Sequence, residues 1–139
     1  MLQYEIDLKR VKENGLYLKE VENQTEEICL ESVTQNGVYL YFVKKQSIKI
    51  CTEALKSNAS AIYFIDNEEI DKYIEKFNVR ELKATERNKG IIAIKENEEW
   101  LFSIECKNNI SRDEFMKMIY KMDKYNKQIY VDFVKRLSI

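Results

Sequence analysis

The chain of 139 residues has no histidine and no proline, and it has only three cysteines and three glycines. Without histidine, it cannot build a nucleophile–imidazole triad or a metal site with imidazole ligands. Three cysteines, none of them in a C-x-x-C pair, do not make the framework of a secreted disulfide-rich protein. We therefore interpret Cys29, Cys51 and Cys106 as buried, reduced thiols and predict no metal and no other cofactor.

The chain also lacks an excess of charge of one sign and a long apolar run. Its 23 Lys and Arg residues nearly cancel its 24 Asp and Glu residues, whereas a dedicated nucleic-acid binder usually shows a basic excess. No apolar stretch approaches the roughly 20 residues that a membrane helix needs, and residues 1–7 do not resemble a signal peptide. We expect a cytoplasmic protein that does not bind a membrane.

The first half of the sequence contains a repeat with a period of 22 residues. Repeats this short are usually stacked helical units, each of which buries its apolar face against its neighbours. We predict three repeats, at 8–28, 29–50 and 51–70, within an N-terminal part that covers residues 1–77. Four sets of positions carry the pattern: Val11, Val33 and Leu55; Asn14, Asn36 and Asn58; Leu18, Leu40 and Ile62; Val21, Val43 and Ile65.

Each repeat is predicted to consist of a helix, a turn and a short second element. In the middle copy, Thr25 can begin the helix and Asn36-Gly37 can end it, because glycine adopts the left-handed conformation of a helix C-terminus. Residues 38–43 follow, and their composition also suits a strand after an Asn-Gly hairpin turn. We favour a helix because their apolar residues keep an i, i+3 spacing in every copy. A last helix is predicted over residues 68–77.

Residues 78–139 show a strand pattern instead. Two apolar runs, 90–94 and 100–106, flank a polar stretch and predict a β-hairpin with its turn near Asn97. Because two strands alone are marginally stable, the sheet needs a third strand or a helix against it. We predict that a preceding strand lies within 79–85.

The C-terminal segment is predicted to be helical. Ser111 and Glu114 match a capping box, and a break is expected near residues 125–126. The fold class is therefore α+β: a short helical-repeat array, then a small antiparallel sheet packed by a C-terminal helix, with the two parts packing as one unit. One apolar stripe continues along the predicted helix: Phe115, Met118, Ile119, Met122, Ile129, Phe133 and Leu137.

The middle repeat resembles a known family. The string from Glu26 to Gly37, followed by Tyr39-Leu40 and Phe42-Val43, is similar to an E-x-C-L-x-A-V-x-Q-N-G repeat of a domain of unknown function, found in tandem in bacterial effectors and giant-virus proteins. The resemblance covers residues 8–70. It implies helical repeats and no defined activity. The chain departs from the pattern at Lys44-Lys45-Gln46, where family members often have a proline.

Tyrosines and acidic side chains in the repeats are the candidate partner-binding residues. Tyrosine is enriched at binding hot spots, and acidic groups can clamp a basic groove on a partner. A structural explanation is equally simple: the tyrosines would pack half-buried between repeats, and the acids would lie at solvent-exposed helix starts. The candidates are Tyr17, Tyr39, Tyr41, Tyr63, Glu26, Glu27, Asp66, Glu68 and Glu69.

The C-terminal segment contains an alternative candidate binding site. Residues 111–139 contain seven basic and four acidic residues, whereas residues 12–31 contain two basic and six acidic residues. Four lysines, the first three of which fall on one helical stripe, form a candidate nucleic-acid face: Lys117, Lys121, Lys124 and Lys135. The solvent face of an amphipathic helix has the same appearance.

No catalytic motif accompanies these features, so we expect a non-enzymatic protein-binding module. The small size and segregated charge favour an inhibitor or immunity-type protein, such as an anti-defence or anti-CRISPR-like protein, that occludes a larger nuclease or defence enzyme. A composition rich in Lys, Glu, Asn, Ile and Tyr is typical of a low-GC bacterium, its phage or another mobile element. The alternative is a nucleic-acid-binding protein that uses the basic C-terminal helix.

Overall fold

The computed structural model of the chain describes residues 2–105 and 107–137. Its contacts divide the chain into two compact units, Met1–Lys76 and Phe77–Ile139. The first unit is helical and the second contains a four-stranded antiparallel sheet with two helices, which confirms the α+β fold class.

The first unit contains three helix pairs, each an α-helix followed by a 3₁₀-helix, and a final α-helix. Corresponding elements begin 22 residues apart in the second and third pairs. The preference for helix over strand in residues 38–43 is confirmed, since residues 37–42 form a 3₁₀-helix. The elements are α1 (Gln3–Glu13), η1 (Gly15–Glu20), α2 (Glu26–Gln35), η2 (Gly37–Phe42), α3 (Ile48–Ser57), η3 (Ala59–Phe64) and α4 (Ile70–Lys76).

The recurring asparagines join the two helices of each pair. Asn36 has extended backbone, with φ −157°, and its N–H closes α2 on the carbonyl of Ser32. Its side-chain oxygen accepts a hydrogen bond from Val38 N at 3.2 Å and thereby caps η2. Asn14 and Asn58 repeat this arrangement with φ −153° and −157°. One residue therefore ends the α-helix and begins the 3₁₀-helix.

The glycine after Asn36 has a different role from the one its sequence context predicts. No described glycine has positive φ, so Gly37 is not a left-handed helix terminus. A Cβ placed on Gly37 would lie 2.0 Å from the carbonyl oxygen of Ala54 in α3. Glycine is therefore required because the next helix approaches too closely for any side chain. Gly15 is similar, with the carbonyl oxygen of Ser32 at 3.1 Å.

The repeated apolar positions form the core of the first unit. Burying them removes apolar surface from water, and each Å² removed stabilises the folded state by about 25 cal/mol. The last helix is shorter than the predicted 68–77, because α4 begins at Ile70 and ends at Lys76. The positions exposed by 8% or less are Val11, Val33, Leu55, Leu18, Leu40, Ile62, Val21, Val43 and Ile65.

The second unit is built on a sheet with strand order β1-β2-β3-β4, in which every neighbouring pair is antiparallel. The hairpin turn at Asn97 and the strand within 79–85 are confirmed, whereas β4 is an additional strand that the sequence analysis did not predict. Asn97 and Glu98 have φ 51° and 65°, as a two-residue hairpin turn of this type requires. The strands are β1 (Arg80–Leu82), β2 (Ile91–Glu96), β3 (Glu99–Ile104) and β4 (Lys107–Ser111).

Two helices follow the sheet, α5 (Arg112–Tyr120) and α6 (Lys124–Leu137). Ser111 Oγ accepts a hydrogen bond from Glu114 N at 3.2 Å, which confirms Ser111 as N-cap. The break lies at residues 121–123 and not at 125–126. Asp123 sets its position, because its carboxylate accepts a hydrogen bond from Asn126 N at 2.9 Å.

One face of the sheet and both helices share a core. The rings of Phe102 and Phe115 stack with centroids 4.5 Å apart, and Tyr130 meets Phe115 edge-on at 6.5 Å. The Tyr130 hydroxyl accepts a hydrogen bond from Lys89 N at 2.9 Å, so its polar end is also satisfied. The other buried members of this core are Ile91, Ala93, Ile104, Ile110, Ile119, Phe133 and Val134.

Candidate binding surface

Two exposed tyrosines lie on η2 and η3, the neighbouring 3₁₀-helices of the second and third helix pairs. Tyr41 is 68% exposed and Tyr63 is 58% exposed, although each follows a buried residue. They occupy the same position of η2 and η3. The Tyr41 ring packs edge-on against Phe42 and Phe64, with centroids 5.2 and 5.6 Å apart. We call Tyr41, Phe42, Tyr63 and Phe64 the tyrosine surface.

The other two predicted tyrosines contact neighbouring side chains within the first unit. Tyr17 is half-buried; its hydroxyl accepts a hydrogen bond from Arg10 Nη1 at 2.8 Å, and the Arg10 guanidinium lies 5.3 Å from its ring centroid. Tyr39 is also half-buried and lies 6.4 Å from the Phe42 ring. The structure therefore places two of the four tyrosines on an open surface and uses the other two for packing.

Glu26 and Glu27 lie in the first turn of α2, as predicted from the helix-start pattern. Thr25 caps this turn, since its Oγ1 accepts from Ile28 N at 3.2 Å. Both carboxylates contact neighbouring elements. Glu26 accepts from Ser47 Oγ at 3.4 Å, and Glu27 accepts from the Tyr4 hydroxyl, a hydrogen bond that raises the pKa of Tyr4.

The second acidic run, Asp66, Glu68 and Glu69, lies in the exposed turn before α4. Glu69 forms an ion pair with Lys72. All three line a groove of about 360 Å³, and Glu26 lines a neighbouring groove of about 520 Å³. Tyr41 and Tyr63 line neither groove. Four of the five predicted acids thus lie at this edge of the helix pairs, along grooves that Tyr41 and Tyr63 do not line, whereas Glu27 lines neither groove.

Cys29 and Cys51 are free thiols exposed by only 2%, as predicted. Burial raises the pKa of the Cys29 thiol to about 11 and also raises the pKa of Cys51. A thiol with so high a pKa is a poor nucleophile at neutral pH. Cys106, the third thiol predicted to be buried, is outside the described residues.

Two glutamines, Gln24 and Gln46, organise the edge that carries the acids, and the sequence analysis missed them. Gln46 Nε2 donates to Phe64 O at 2.6 Å, and its Oε1 accepts from Asp66 N at 3.0 Å and from Cys51 Sγ at 3.6 Å. Gln24 makes the equivalent bonds to Phe42 O and Lys44 N at 2.8 and 2.9 Å, and to Cys29 Sγ. Their 22-residue spacing was the available signal.

The predicted lysine face is divided between two helices. Lys117 is in α5, Lys121 caps its C-terminus, and Lys124 is the first residue of α6. The expectation of one continuous stripe is therefore wrong, because the chain breaks between the two helices. Lys135 lies near the end of α6. All four lysines are exposed, and none forms an ion pair with another described residue.

Within the described part of the chain, no group of three or more His, Cys, Asp or Glu side chains is arranged to hold a metal ion. None of the described helices has the length and apolar character needed to span a membrane.

Part of the first unit matches a known protein family. Residues 25–70 are similar to a family described as Domain of unknown function (DUF4116). This segment runs from the N-cap of α2 to the start of α4, about a third of the chain, and includes the second and third helix pairs with the tyrosine surface. No curated protein and no solved structure gives a significant match.

Proposed function

We propose that the three helix pairs are a tandem helical repeat and that the chain is a non-enzymatic protein-binding module. The observation that supports this is the tyrosine surface, where Tyr41 and Tyr63 are 68% and 58% exposed beside two further aromatic rings. Residues 36–43 and 58–65 contain no charged residue. Tyrosines that present large, rigid rings are the residues that dominate protein–protein affinity.

In the sharper form of this proposal, the protein is a cytoplasmic inhibitor or immunity-type protein of a phage or another mobile element. It occludes a larger enzyme, such as a nuclease or defence enzyme, in a stoichiometric complex. The exposed acids at the edge, among them Glu68 and Asp66, would complement the basic surface with which such enzymes hold nucleic acid. The resemblance of the repeat to modules of bacterial effectors and giant-virus proteins supports a role in contacts between a host and an invading element.

The test is an affinity pull-down with the full chain from nuclease-treated host lysate. We expect one protein to co-elute in stoichiometric amount. Replacing both Tyr41 and Tyr63 by alanine should abolish its recovery, because truncation of hot-spot tyrosines typically costs 2 kcal/mol or more each. The matched control replaces Tyr120 and Tyr125, which are 63% and 61% exposed in the second unit.

The control variant should retain the partner fully, and circular dichroism should show that both variants are folded. Loss of the partner with the Tyr120 and Tyr125 control, or unchanged recovery with the Tyr41 and Tyr63 variant, would refute the assignment of binding to the tyrosine surface.

Nucleic-acid binding is the second candidate, favoured by the four exposed lysines that lack an ion-pair partner among the described residues. It predicts binding that weakens steeply with salt and is abolished by Lys121→Glu with Lys124→Glu. Recovery of nucleic acid in the absence of nuclease, sensitive to these substitutions and not to the tyrosine substitutions, would favour this function over the protein-binding module.

A further inference from the structure

Two exposed tyrosines of the second unit lie where α5 ends and α6 begins. Tyr120 is the last residue of α5 and is 63% exposed, and Tyr125 is the second residue of α6 and is 61% exposed. The core of this unit takes Phe115, Ile119 and Tyr130 from the same two helices and includes neither exposed tyrosine. Core packing therefore does not account for these two large rings.

A cation lies over each of the two rings. The Lys127 ammonium is 5.3 Å from the ring centroid of Tyr120, and the Arg87 guanidinium is 4.7 Å from the ring centroid of Tyr125. Lys127 belongs to α6 and Tyr120 to α5, so the first contact spans the break between the helices. Arg87 comes from the segment between β1 and β2. Each ring is thus paired with a cation and remains largely accessible.

The break between the helices is also surrounded by lysines. Lys117 lies one turn before Lys121 at the end of α5, and Lys124 lies one turn before Lys127 in α6. None of the four forms an ion pair with another residue that the structure describes. The two helix ends therefore bring four positive charges to one place without pairing them.

The acidic residues nearby do not neutralise this charge. Asp123 is the only acid between the first and the last of these lysines, and its carboxylate oxygens accept hydrogen bonds from Asn126 N at 2.9 Å and Asn126 Nδ2 at 2.7 Å. It caps α6 and pairs with no lysine. Glu86 and Glu105 line the adjoining groove of about 540 Å³, which Arg87 also lines. The positive surface therefore ends at Arg87.

Exposed rings beside unpaired cations suit single-stranded nucleic acid, whose bases stack on aromatic side chains while its phosphates bind lysine and arginine. A duplex keeps its bases stacked on one another, so their faces cannot reach the two tyrosines. An acidic protein segment would satisfy the lysines but offers no row of flat bases. We call the following residues the helix-break surface: Lys117, Tyr120, Lys121, Lys124, Tyr125 and Lys127.

We propose that the helix-break surface binds single-stranded nucleic acid, with bases stacked on Tyr120 and Tyr125 and phosphates bound by its lysines and by Arg87. The inference rests on the second candidate function and deepens it, because it names the strandedness of the ligand and the residues that stack. It leaves out Lys135, which lies near the other end of α6. It does not affect the control pull-down above, because nuclease removes nucleic acid from that lysate.

The experiment measures binding of the full chain to a fluorescently labelled oligothymidylate of about 12 nucleotides, a length within the usual site size. Fluorescence polarisation is recorded between about 50 and 200 mM salt. Four lysine–phosphate contacts predict a slope of about −2.8 for the logarithm of the binding constant against the logarithm of the salt concentration. A duplex of the same length and polyglutamate, a probe for an acidic protein partner, should each bind at least tenfold more weakly.

Replacing both Tyr120 and Tyr125 by leucine should weaken binding of the oligothymidylate roughly tenfold or more and leave the salt slope unchanged, because stacking is lost and the charges stay. Replacing both by phenylalanine keeps the rings and should restore the affinity. Lys121→Gln with Lys124→Gln should reduce the slope to about −1.4. The matched charge control is Lys9→Gln with Lys12→Gln, on exposed positions of α1, which should change neither the affinity nor the slope.

Circular dichroism shows whether each variant is folded. Equal binding of the duplex or of polyglutamate, or unchanged affinity of the leucine variant, would overturn the proposal. If the lysine variant lost binding and the leucine variant did not, the second candidate function would stand without the stacking surface. Failure of every nucleic acid to bind would refute both.

Discussion

In the first unit, polar side chains directed at the backbone recur wherever one helix pair meets the next, whereas the second unit is held by aromatic packing between a sheet and two helices. Gln24 and Gln46 donate to the backbone oxygens of Phe42 and Phe64 in the next pair, and Asn36 accepts a hydrogen bond from the Asn58 side chain. In the second unit, the corresponding role falls to Phe102, Phe115 and their apolar neighbours.

The difference explains why the two units present such different surfaces. Amide hydrogen bonds fix each pair against its neighbour without large side chains, so the 3₁₀-helices can leave Tyr41 and Tyr63 exposed. In the second unit the aromatic rings of Phe102 and Phe115 form the core, so they are buried. Four substitutions, from the largest expected effect to the smallest, test this comparison.

Phe115→Ala should reduce the free energy of unfolding most, by about 3–5 kcal/mol, because it leaves a cavity in the aromatic core. Phe115 is fully buried and stacked on Phe102. Urea unfolding followed by the fluorescence of Trp100, the single tryptophan, measures the change. Tyr120→Ala, on the same helix and 63% exposed, should alter stability by about 0.5 kcal/mol or less. Similar losses for both variants would show that the core does not lie where we place it.

Gly37→Ala should cost about 2–3 kcal/mol, since the added Cβ would lie 2.0 Å from the Ala54 carbonyl oxygen and must push α3 away. The matched control is Gly90→Ala, where the nearest atom lies at 3.5 Å and the effect should be close to zero. Thermal unfolding by circular dichroism compares them. If Gly37→Ala were as mild as the control, the close approach of the second and third helix pairs would be wrong.

Gln46→Ala should cost about 1–3 kcal/mol, because it leaves the Phe64 carbonyl and the Asp66 N–H without their amide partner. The adjacent Lys45→Ala changes an exposed side chain and should be nearly neutral. Urea unfolding of both variants is the measurement. A neutral Gln46→Ala would remove the distinction between amide bonds in one unit and aromatic packing in the other.

The smallest expected effect is on how the stability of the folded state depends on pH. Burial raises the pKa of Cys29 to about 11, above the roughly 8.5 of a free thiol. The folded state therefore holds the proton longer than the unfolded state, so this contribution is complete below pH of about 8.5 and is lost as pH rises to about 11. Cys29→Ala should show a shallower decline of stability than the wild type between these values. Parallel declines would argue against the burial of this thiol.

The sequence was sufficient for the fold class because each half carried its own periodicity. Positions such as Leu18, Leu40 and Ile62 recur every 22 residues and are buried. The capping-box pattern at Ser111 predicted the start of α5, where Ser111 is the N-cap. The sequence did not predict β4, because the segment Lys107–Ser111 has too few apolar residues to show the alternating pattern of a strand. It also misjudged Gly37, because the close approach of Ala54 is a tertiary contact with no local sequence signal.

The candidate surface was predicted only in part, for the same reason. The spacing showed that Tyr41 and Tyr63 share a repeat position, but exposure depends on what the neighbouring pair covers. The lysine stripe was wrong because Asp123 starts a new helix.

The proposal that the tyrosine surface binds a protein is tested most directly by photo-crosslinking in the native host, with p-benzoylphenylalanine at position 63 or, as a control, at position 120. We predict that position 63 yields one discrete crosslinked protein and that position 120, equally exposed, yields none. Crosslinks from position 120 alone, or none to protein from position 63, would contradict the account.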